Sequence, residues 1–352
     1  MSKKPMKAVV ALQEAQKIAF APFVFQTTVS LRRLGVFDYI FDEKRPVSQS
    51  EISKALSISE YGLSVLLEIA ESAEIVLKDE DSNYELTKIG YFLNSNKMTE
   101  VNLNFTQDVC YQGLFHLEDT IKSGKPEGLK EFGDWNTIYE GLSQLPTHVQ
   151  NSWFAFDHFY SDEIFGETLK IIFKSSPKTI FDIGGNTGKF AMLCCEYNQD
   201  VHVKIFDLPG QLQKALANAK DKGLKNRISG QEIDWLSENP KLHEGADIIW
   251  MSQFLDCFSK EEILKILSTG VSAMNTDTEL IIIETYTDRQ KFGNAKFTLE
   301  ATSLYFTALA NGNSKMYKST ELIELCQQAG LTIDQDIAIG EFHTMFICKK
   351  KY

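Results

Sequence analysis

Residues 181–188 read Phe-Asp-Ile-Gly-Gly-Asn-Thr-Gly and are the most informative segment of the chain. They overlap an apolar run at 179–183 that is typical of a buried strand, and they precede a helix predicted over 189–196. Such a turn brings backbone N–H groups to a ligand, which can approach closely where Cβ is absent. The spacing is not that of G-x-G-x-x-G, so a dinucleotide site is disfavoured.

Outward from this turn, strand-sized apolar runs alternate with helical patterns to the end of the chain. The alternation predicts an α/β fold with a mostly parallel, doubly wound sheet. Strands are predicted at 179–183, 201–207, 228–231, 247–251, 279–285, 333–339 and 344–349, and helices at 189–196, 211–220, 260–269 and 319–329. Ser259 and Glu262 form a capping-box pattern that marks the start of the third of these helices.

Acidic residues follow three successive predicted strands. Asp182 lies near the end of the first strand, beside the glycines, and Asp207 ends the second strand. Asp234 and Trp235 follow the third strand. Open parallel sheets bind ligands at the carboxyl ends of their strands. Asp182 suits a ligand that carries an ammonium and a carboxylate rather than a pyrophosphate, and S-adenosylmethionine fits that description. Asp207 is expected to accept the ribose hydroxyls and Asp234 the adenine amino group, with Trp235 stacked on the ring.

The first block of the chain, residues 8–98, has the pattern of a winged helix. Helical segments are predicted over 8–25 and 29–40. Ser48 and Glu51 form a capping box for a short helix that runs to residue 56. Ser59 begins a further helix, and short strands at 75–78 and 84–86 form a hairpin.

Winged helices often bind DNA through a basic recognition helix. Here the corresponding segment, residues 59–74, contains four Glu and no Lys or Arg. We therefore expect this block to serve in packing or dimerisation rather than in DNA binding. The next block, residues 99–175, is helical and rich in aromatic residues, and some of these are expected to line a pocket for a flat apolar substrate.

Composition excludes several classes of protein. The 352 residues include 36 Lys and Arg against 48 Asp and Glu, a net charge of −12, which disfavours nucleic acid and anionic membranes as partners. No apolar run approaches the roughly 18 residues of a membrane span, and no signal peptide is predicted. None of the six cysteines forms a C-x-x-C pair, as expected for reduced thiols in a cytoplasmic protein. The histidines lack metal-binding spacing, so no metal site is predicted.

The chain resembles the small-molecule O-methyltransferases of the caffeate and hydroxyindole type. The segments that carry the resemblance are FDIGGNTG, FDLP, DW, GADIIWMSQFLDCFSKEEILKIL, LIIIET and QQAGL, with weaker likeness in GLFHLEDTIKSGKP and NSWFAFDHFYSDE. The resemblance spans most of the chain, because that family also has an N-terminal winged-helix dimerisation domain. It implies a dimerisation domain over 1–98, a substrate-lining helical region over 99–175 and a class I methyltransferase domain over 176–352.

The resemblance further implies S-adenosylmethionine as the methyl donor, a small aromatic acceptor and a homodimer. The residues expected to hold the cofactor are Asp182, Gly184, Gly185, Gly188, Asp207, Leu208, Asp234, Trp235 and Ser252. Asn186 stands where the family usually has a third glycine, and Asn is the other residue that best tolerates a left-handed backbone.

The largest departure from the family concerns the general base. Asp256 stands where a histidine is expected. Glu284 matches one carboxylate that orients that histidine, and Met316 stands at the position of the second. A phenol has a pKa of about 10, so a carboxylate is a weak base toward it unless burial raises its own pKa. The catalytic candidates are therefore Asp256, Glu284 and, as another possible base, His158.

Functions from three classes compete. O-methylation of a phenol is favoured, and C-methylation of a phenol ring is the close alternative. A dimer that binds S-adenosylmethionine without catalysis is the second class. An NAD-dependent oxidoreductase is disfavoured by the glycine spacing.

Overall fold

The computed structural model of the protein describes residues 6–351. The chain forms two compact units, residues 1–107 and 108–352. The division into three domains stays a prediction.

The described part of the first unit is mainly helical, with a small sheet. Its helices are α1 (Ala8–Ala19), α2 (Ala21–Arg33), α3 (Val36–Glu43), α4 (Gln49–Leu56), α5 (Glu60–Ser72), α6 (Lys88–Ser95) and α7 (Lys97–Phe105). Its strands are β1 (Val47–Ser48), β2 (Val76–Lys78) and β3 (Asn83–Leu86), arranged in the order β1-β3-β2. The helices and the hairpin agree with the winged-helix pattern, and β1 adds a third strand beside β3.

The prediction of one helix over residues 8–25 is wrong. Helix α1 ends at Ala19 and α2 begins at Ala21, with a bend of 55° between them. Pro22 lies in the first turn of α2, where its missing N–H costs nothing, whereas in a helix interior it would break a hydrogen bond. The predicted segment 29–40 is also divided, because Gly35 takes a φ of 77° between α2 and α3.

The capping box at the start of α4 is confirmed. The Ser48 side chain accepts from the Glu51 N–H, and the Glu51 carboxylate accepts from the Ser48 N–H at 2.8 Å. The Ser59 hydroxyl likewise caps α5 by accepting from the Gly62 N–H at 3.1 Å. These side chains satisfy N–H groups that have no partner within their helix.

The described part of the second unit is built on a seven-stranded sheet. Its strands are β4 (Thr179–Ile183), β5 (His202–Asp207), β6 (Ile228–Glu232), β7 (Ile248–Ser252), β8 (Glu279–Thr285), β9 (Leu331–Ile339) and β10 (His343–Lys350). The strand order is β6-β5-β4-β7-β8-β10-β9, and β10 runs antiparallel to both of its neighbours. The mostly parallel sheet is confirmed, and the predicted strands differ from the observed ones by no more than a few residues at their ends.

Helices cover both faces of this sheet. The helices of the unit are α8 (Leu117–Ser123), α9 (Ile138–Gly141), α10 (Thr147–Asp162), α11 (Phe165–Ile172), α12 (Lys189–Tyr197), α13 (Pro209–Asp221), α14 (Lys260–Ser272), α15 (Gly293–Tyr305) and α16 (Ser319–Gln328). Alternate residues of each strand enter opposite cores. Phe181 and Ile183 pack in the cluster that includes residues of α14 and α16, whereas Ile180 packs with α11, α12 and α13.

Strand β4 is the topological switch point, because β5 and β7 pair with it on opposite sides. A crevice at the carboxyl end of such a strand is where open α/β sheets bind ligands. The glycine turn begins at this end of β4.

Helix α15 is absent from the predicted elements. Only Thr302 and Tyr305 of this helix are buried, so its apolar residues do not mark one face. Within residues 6–351 no single helix has the length and apolar character to cross a membrane, and the bent pair α1 and α2 meets those criteria only in combination.

Candidate active site

The glycine turn is tightly enclosed by the chain's own side chains. Gly184 takes a φ of +69°, and a Cβ built on it would lie 2.4 Å from Cδ2 of Phe254. A Cβ on Gly185 would lie 2.7 Å from Oδ2 of Asp182. Gly188 takes a φ of +76° at the start of α12. The glycines are therefore required for the backbone conformation and for the packing of Phe254 and Asp182 against the turn.

Asn186 holds the left-handed conformation that the sequence predicted, with a φ of 49°. Its backbone N–H donates to Oδ2 of Asp207 at 2.8 Å, and its side-chain amide donates to Oδ2 of Asp157 at 3.0 Å. A glycine at this position would allow the first hydrogen bond but not the second. Asn186 thus connects the turn to helix α10.

Asp207 lies at the end of β5 and accepts two backbone hydrogen bonds, from Asn186 and, at 2.7 Å, from Leu208. Burial raises the pKa of this half-buried carboxyl to about 6, against the lowering effect of the two donors. An ionised carboxylate has about four lone-pair positions, so Asp207 retains acceptor capacity for ribose hydroxyls.

Asp182 is 2% exposed, and its Oδ2 atom has no hydrogen-bond partner among the described residues. Burial, with a smaller effect of the Asp207 charge, raises its pKa to about 8. Buried polar atoms are nearly always hydrogen-bonded in native proteins. The unpaired oxygen beside the glycine turn therefore fits a ligand that brings an N–H donor, as the ammonium group of S-adenosylmethionine would.

The other predicted cofactor residues follow β6 and β7. Asp234 is exposed, and its Oδ1 accepts from the Leu236 N–H at 2.9 Å. Trp235 is 5% exposed, and its ring meets that of Phe254 edge-on at 6.1 Å between centroids. Within the described chain, neither Nε1 of Trp235 nor the buried hydroxyl of Ser252 has a hydrogen-bond partner.

The structure brings together two of the predicted catalytic residues, Asp256 and Glu284. Asp256 is 8% exposed in a short turn after β7, and burial raises its pKa to about 7, with a further contribution from the nearby Asp157. Glu284 is 3% exposed at the end of β8. Its pKa lies well above the usual range because of burial and, secondarily, the charge of Asp256.

Glu284 also shapes the segment that carries Asp256. Its Oε1 atom accepts from the backbone N–H groups of Phe254 at 3.0 Å and Leu255 at 2.9 Å. In the same segment Gln253 takes a φ of 47°, and its side-chain amide lies 2.8 Å from Nε2 of His343. Burial lowers the pKa of His343 to about 4, so the imidazole is neutral near pH 7 and can accept this hydrogen bond.

His158 lies beside Asp162 and is also an electrostatic neighbour of Asp157. Its Nδ1 is 3.6 Å from Oδ1 of Asp162, which also contacts the Lys189 ammonium. Asp162 raises the pKa of His158, which favours the imidazolium over a free base. No hydrogen bond or ion pair between described residues links His158 to Asp256. Its catalytic role stays a prediction that the geometry does not favour.

Sequence reasoning missed several polar groups near Asp256. Asp157 precedes His158 and lies close enough to Asp256 for its charge to raise the pKa there. The Tyr139 hydroxyl is buried without a hydrogen bond of ordinary geometry inside the described range, and burial and the neighbouring Cys257 thiol raise its pKa. Nε1 of Trp153 donates to the Tyr305 hydroxyl at 2.7 Å. The available signal for Asp157 was a carboxylate that stands between aromatic residues in the middle of α10.

Comparisons with known proteins agree with this site. A Dimerisation2-like domain matches residues 13–84, and an O-methyltransferase domain matches residues 116–332, more than half of the chain. The chain belongs to the O-methyltransferase domain family. The predicted family, fold class and enzyme class are thereby confirmed: the protein is an S-adenosylmethionine-dependent methyltransferase.

Three of the relatives match nearly the whole length of this chain. The O-methyltransferase SfmM3 of Streptomyces lavendulae is 27% identical over 90% of this chain and 94% of its own. The L-tyrosine C(3)-methyltransferase of the same organism is 20% identical over 92% of this chain and 88% of its own. The structure of NcsB1, an O-methyltransferase from neocarzinostatin biosynthesis, was solved with S-adenosylmethionine and 2-hydroxy-5-methyl naphthoic acid. It has a TM-score of 0.70 and 18% identity, and covers 93% of this chain and 95% of its own.

Enzymes of this family use S-adenosylmethionine, which agrees with the predicted cofactor. No group of three His, Cys, Asp or Glu side chains in residues 6–351 is arranged to hold a metal ion.

Proposed function

We propose that this methyltransferase methylates a phenolic hydroxyl of a small aromatic acceptor, with Asp256 as the general base. One arrangement carries the proposal. Asp157 is hydrogen-bonded to the glycine turn through Asn186 and is also an electrostatic neighbour of Asp256. The candidate base therefore lies beside the end of the sheet where the cofactor residues converge.

The residues at the strand ends have separate roles in holding the cofactor. Asp207, which ends β5, and Leu208 would hold the ribose, Asp234 and Trp235 after β6 would hold the adenine, and Ser252 ends β7. Asp182 and the Gly184, Gly185 and Gly188 backbone hold the methionine part. When bound, S-adenosylmethionine supplies an activated methyl group.

The pKa of Asp256 supports its role as a base. A carboxyl of ordinary pKa, about 4, lies roughly 6 units below a phenol, a deficit of about 8 kcal/mol for complete proton transfer. With a pKa of about 7, Asp256 halves that deficit to about 4 kcal/mol. A proton transfer that accompanies methylation costs less free energy than complete transfer before methylation. Correct placement of the acceptor lowers the barrier further.

C-methylation of a phenol ring is the second candidate. It is supported by the L-tyrosine C(3)-methyltransferase among the relatives, because a carbon next to a phenol hydroxyl is nucleophilic. Methyl-labelled cofactor and NMR analysis of the product distinguish a methoxy carbon from a ring methyl carbon.

A homodimer is supported by the surface of the first unit. Helix α1 has no buried residue, and the side chains of Leu12, Ile18 and Phe23 are each more than half exposed. Apolar surface of this extent is typical of an interface. A cytoplasmic location is proposed from six unpaired cysteines, which suit a reducing compartment. Light scattering on the purified protein tests the dimer.

The experiment that tests the function has two steps. Calorimetry with S-adenosylmethionine, S-adenosylhomocysteine and NAD is expected to show binding of the two sulfur ligands alone. A panel of phenols is then tested for release of S-adenosylhomocysteine. Binding of the sulfur ligands with no release for any phenol would favour the non-catalytic dimer.

A further inference from the structure

The turn that follows β7 contains a residue in a strained backbone conformation. Gln253 has a φ of 47°, in the left-handed region that residues other than glycine and asparagine rarely adopt. Such a conformation costs free energy and persists only where the surrounding structure fixes it. Strained residues of this kind cluster at functional sites, so the contacts that fix Gln253 bear on what the turn does.

Two contacts fix Gln253, one to its backbone and one to its side chain. Its backbone N–H donates to the Ile283 carbonyl of β8 at 2.9 Å, which continues the pairing of β7 with β8. Its side-chain amide lies 2.8 Å from Nε2 of His343, the first residue of β10. Strand β8 separates β7 from β10, so this hydrogen bond joins the end of β7 to a strand that is not its neighbour.

His343 is a firmly held partner for Gln253. Its backbone is paired with Thr285 of β8 on one side and with Ile339 of β9 on the other. Its ring is 5% exposed, and among the described residues its Nδ1 atom has no hydrogen-bond partner. Within that part of the chain, the imidazole therefore forms its side-chain hydrogen bond with Gln253 alone.

The residues that follow Gln253 reach both parts of the site. The Phe254 ring packs against the glycine turn, where a Cβ on Gly184 would lie 2.4 Å from Cδ2 of Phe254. Asp256, the proposed base, comes three residues after Gln253. A change in the φ of Gln253 rotates the chain that follows it, so Phe254 and Asp256 would move together.

We propose that His343 is a positioning residue, which holds Gln253 in its left-handed conformation and thereby directs Asp256 toward the acceptor. The part that concerns Asp256 rests on the proposed function, whereas the effect on the turn does not. Glu284 binds the backbone N–H groups later in the turn, and His343 fixes the residue before them. No proton moves to or from His343 in this role.

Amide hydrogen exchange in the full-length protein tests the inference without an acceptor. The N–H groups of Phe254 and Leu255 both donate to Glu284, so their exchange reports on the turn. His343→Phe keeps a ring and removes the hydrogen-bond acceptor, and is expected to speed this exchange about tenfold. His343→Gln supplies an amide oxygen in place of Nε2 and is expected to restore most of the protection.

Variants of other residues complete the comparison. Gln253→Met keeps the length of the side chain, removes its amide and is expected to speed the exchange as much as His343→Phe. The double variant is expected to exchange no faster than either single variant, because both remove the same hydrogen bond. His202→Gln changes an exposed histidine at the start of β5 and is expected to leave the exchange unchanged.

Exchange of the β4 amides at the centre of the sheet serves as the check on the fold. If His343→Phe alters it, Gln253→Met, which changes a half-buried residue, decides the test.

Kinetics connect the turn to methyl transfer. For a phenol that is methylated in the panel, His343→Phe is expected to lower kcat by about tenfold, because the base is misplaced. The KM for S-adenosylmethionine is expected to change by less than about threefold, since the cofactor residues of β4 and β5 are not bonded to Gln253. His343→Gln is expected to recover most of kcat.

Unchanged exchange in Gln253→Met, equal losses in His343→Phe and His343→Gln, or additive losses in the double variant would overturn the inference. Faster exchange with an unchanged kcat would overturn it as well, because the turn would then not direct the base. Faster exchange with no methylation of any phenol would instead reject the proposed function and leave the role of His343 in the turn intact.

Discussion

The side-chain amide of Asn186 donates a hydrogen bond to Asp157 across 3.0 Å and joins the glycine turn to helix α10. The same residue donates its backbone N–H to Asp207. One residue therefore connects a carboxylate assigned to the ribose, through its backbone, with a carboxylate next to Asp256, through its side chain. The residue that departs from the family's glycine pattern adds a contact that glycine cannot make.

Asn186→Gly is expected to lower kcat/KM for a phenolic acceptor by about tenfold, because Asp157 loses a hydrogen bond to its carboxylate. Affinity for S-adenosylhomocysteine, measured by calorimetry, is expected to stay within about threefold, because glycine tolerates the φ of 49°. Asn186→Ala is the comparison, since it loses the same amide and adds about 1 kcal/mol of left-handed strain. A large loss of cofactor affinity in the glycine variant would contradict this separation of roles.

Asp207→Ala is expected to weaken S-adenosylhomocysteine binding by at least about tenfold in calorimetry. The variant removes acceptors for ribose and also leaves the N–H groups of Asn186 and Leu208 without their partner. Asp207→Asn is expected to lose less affinity for S-adenosylhomocysteine, because the amide oxygen of asparagine still accepts hydrogen bonds. Unchanged affinity in both variants would show that Asp207 serves only the turn.

Asp256→Asn is expected to reduce turnover of a phenolic acceptor by about 100-fold or more while leaving S-adenosylhomocysteine affinity unchanged. A base acts when deprotonated, and the pKa of Asp256 is about 7, so kcat/KM in the wild type is expected to fall as the pH drops below 7. The variant should lose this pH dependence. Wild-type turnover that is constant from pH 8 to pH 5.5 would exclude Asp256 as the base.

Asp182 is expected to make the unliganded protein less stable as the pH rises. Its pKa is about 8 when folded and about 3.9 when unfolded, so between these values the folded state binds more protons and the free energy of unfolding falls with pH. Urea titrations at pH 5.5 and 8 measure the difference. The Asp182→Asn variant is expected to show a smaller change in the free energy of unfolding between the two pH values. The same change in the variant as in the wild type would show that Asp182 is ionised in the folded protein.

Gly184→Ala is expected to lower the free energy of unfolding by about 1–3 kcal/mol, because the new Cβ meets the Phe254 ring at a left-handed backbone position. Phe254→Leu removes part of the clash. The double variant is therefore expected to lose less than the sum of the single losses in urea titrations. Strict additivity would indicate that backbone strain alone accounts for the loss.

Features encoded within a few residues were predictable from the sequence. The capping boxes Ser48–Glu51 and Ser259–Glu262 are both present, because each depends on a spacing of three residues. The strand ends that carry Asp182 and Asp207 were predictable for a similar reason, since their apolar runs are short and continuous. The break at Pro22 was equally local and was overlooked.

Features that depend on contacts between distant residues were not predictable. Asp157 gains its place through Asn186, 29 residues later in the chain. The pairing of Gln253 with His343 joins residues 90 positions apart. Neither pair has a spacing or a composition that marks it, and only the packing of strands and helices brings the partners together.

The Glu284 carboxylate accepts hydrogen bonds from the backbone N–H groups of Phe254 and Leu255, and these bonds do not involve the side chain that follows. Glu284 therefore fixes the backbone of the turn without using the side chain at position 256, which itself accepts from the Cys257 thiol at 3.5 Å. A single codon change from aspartate to histidine there would exchange a carboxylate for an imidazole and leave the two hydrogen bonds to Glu284 in place. This architecture lets the chemistry of the site diverge by point substitution, one acceptor at a time, while the fold around it is preserved.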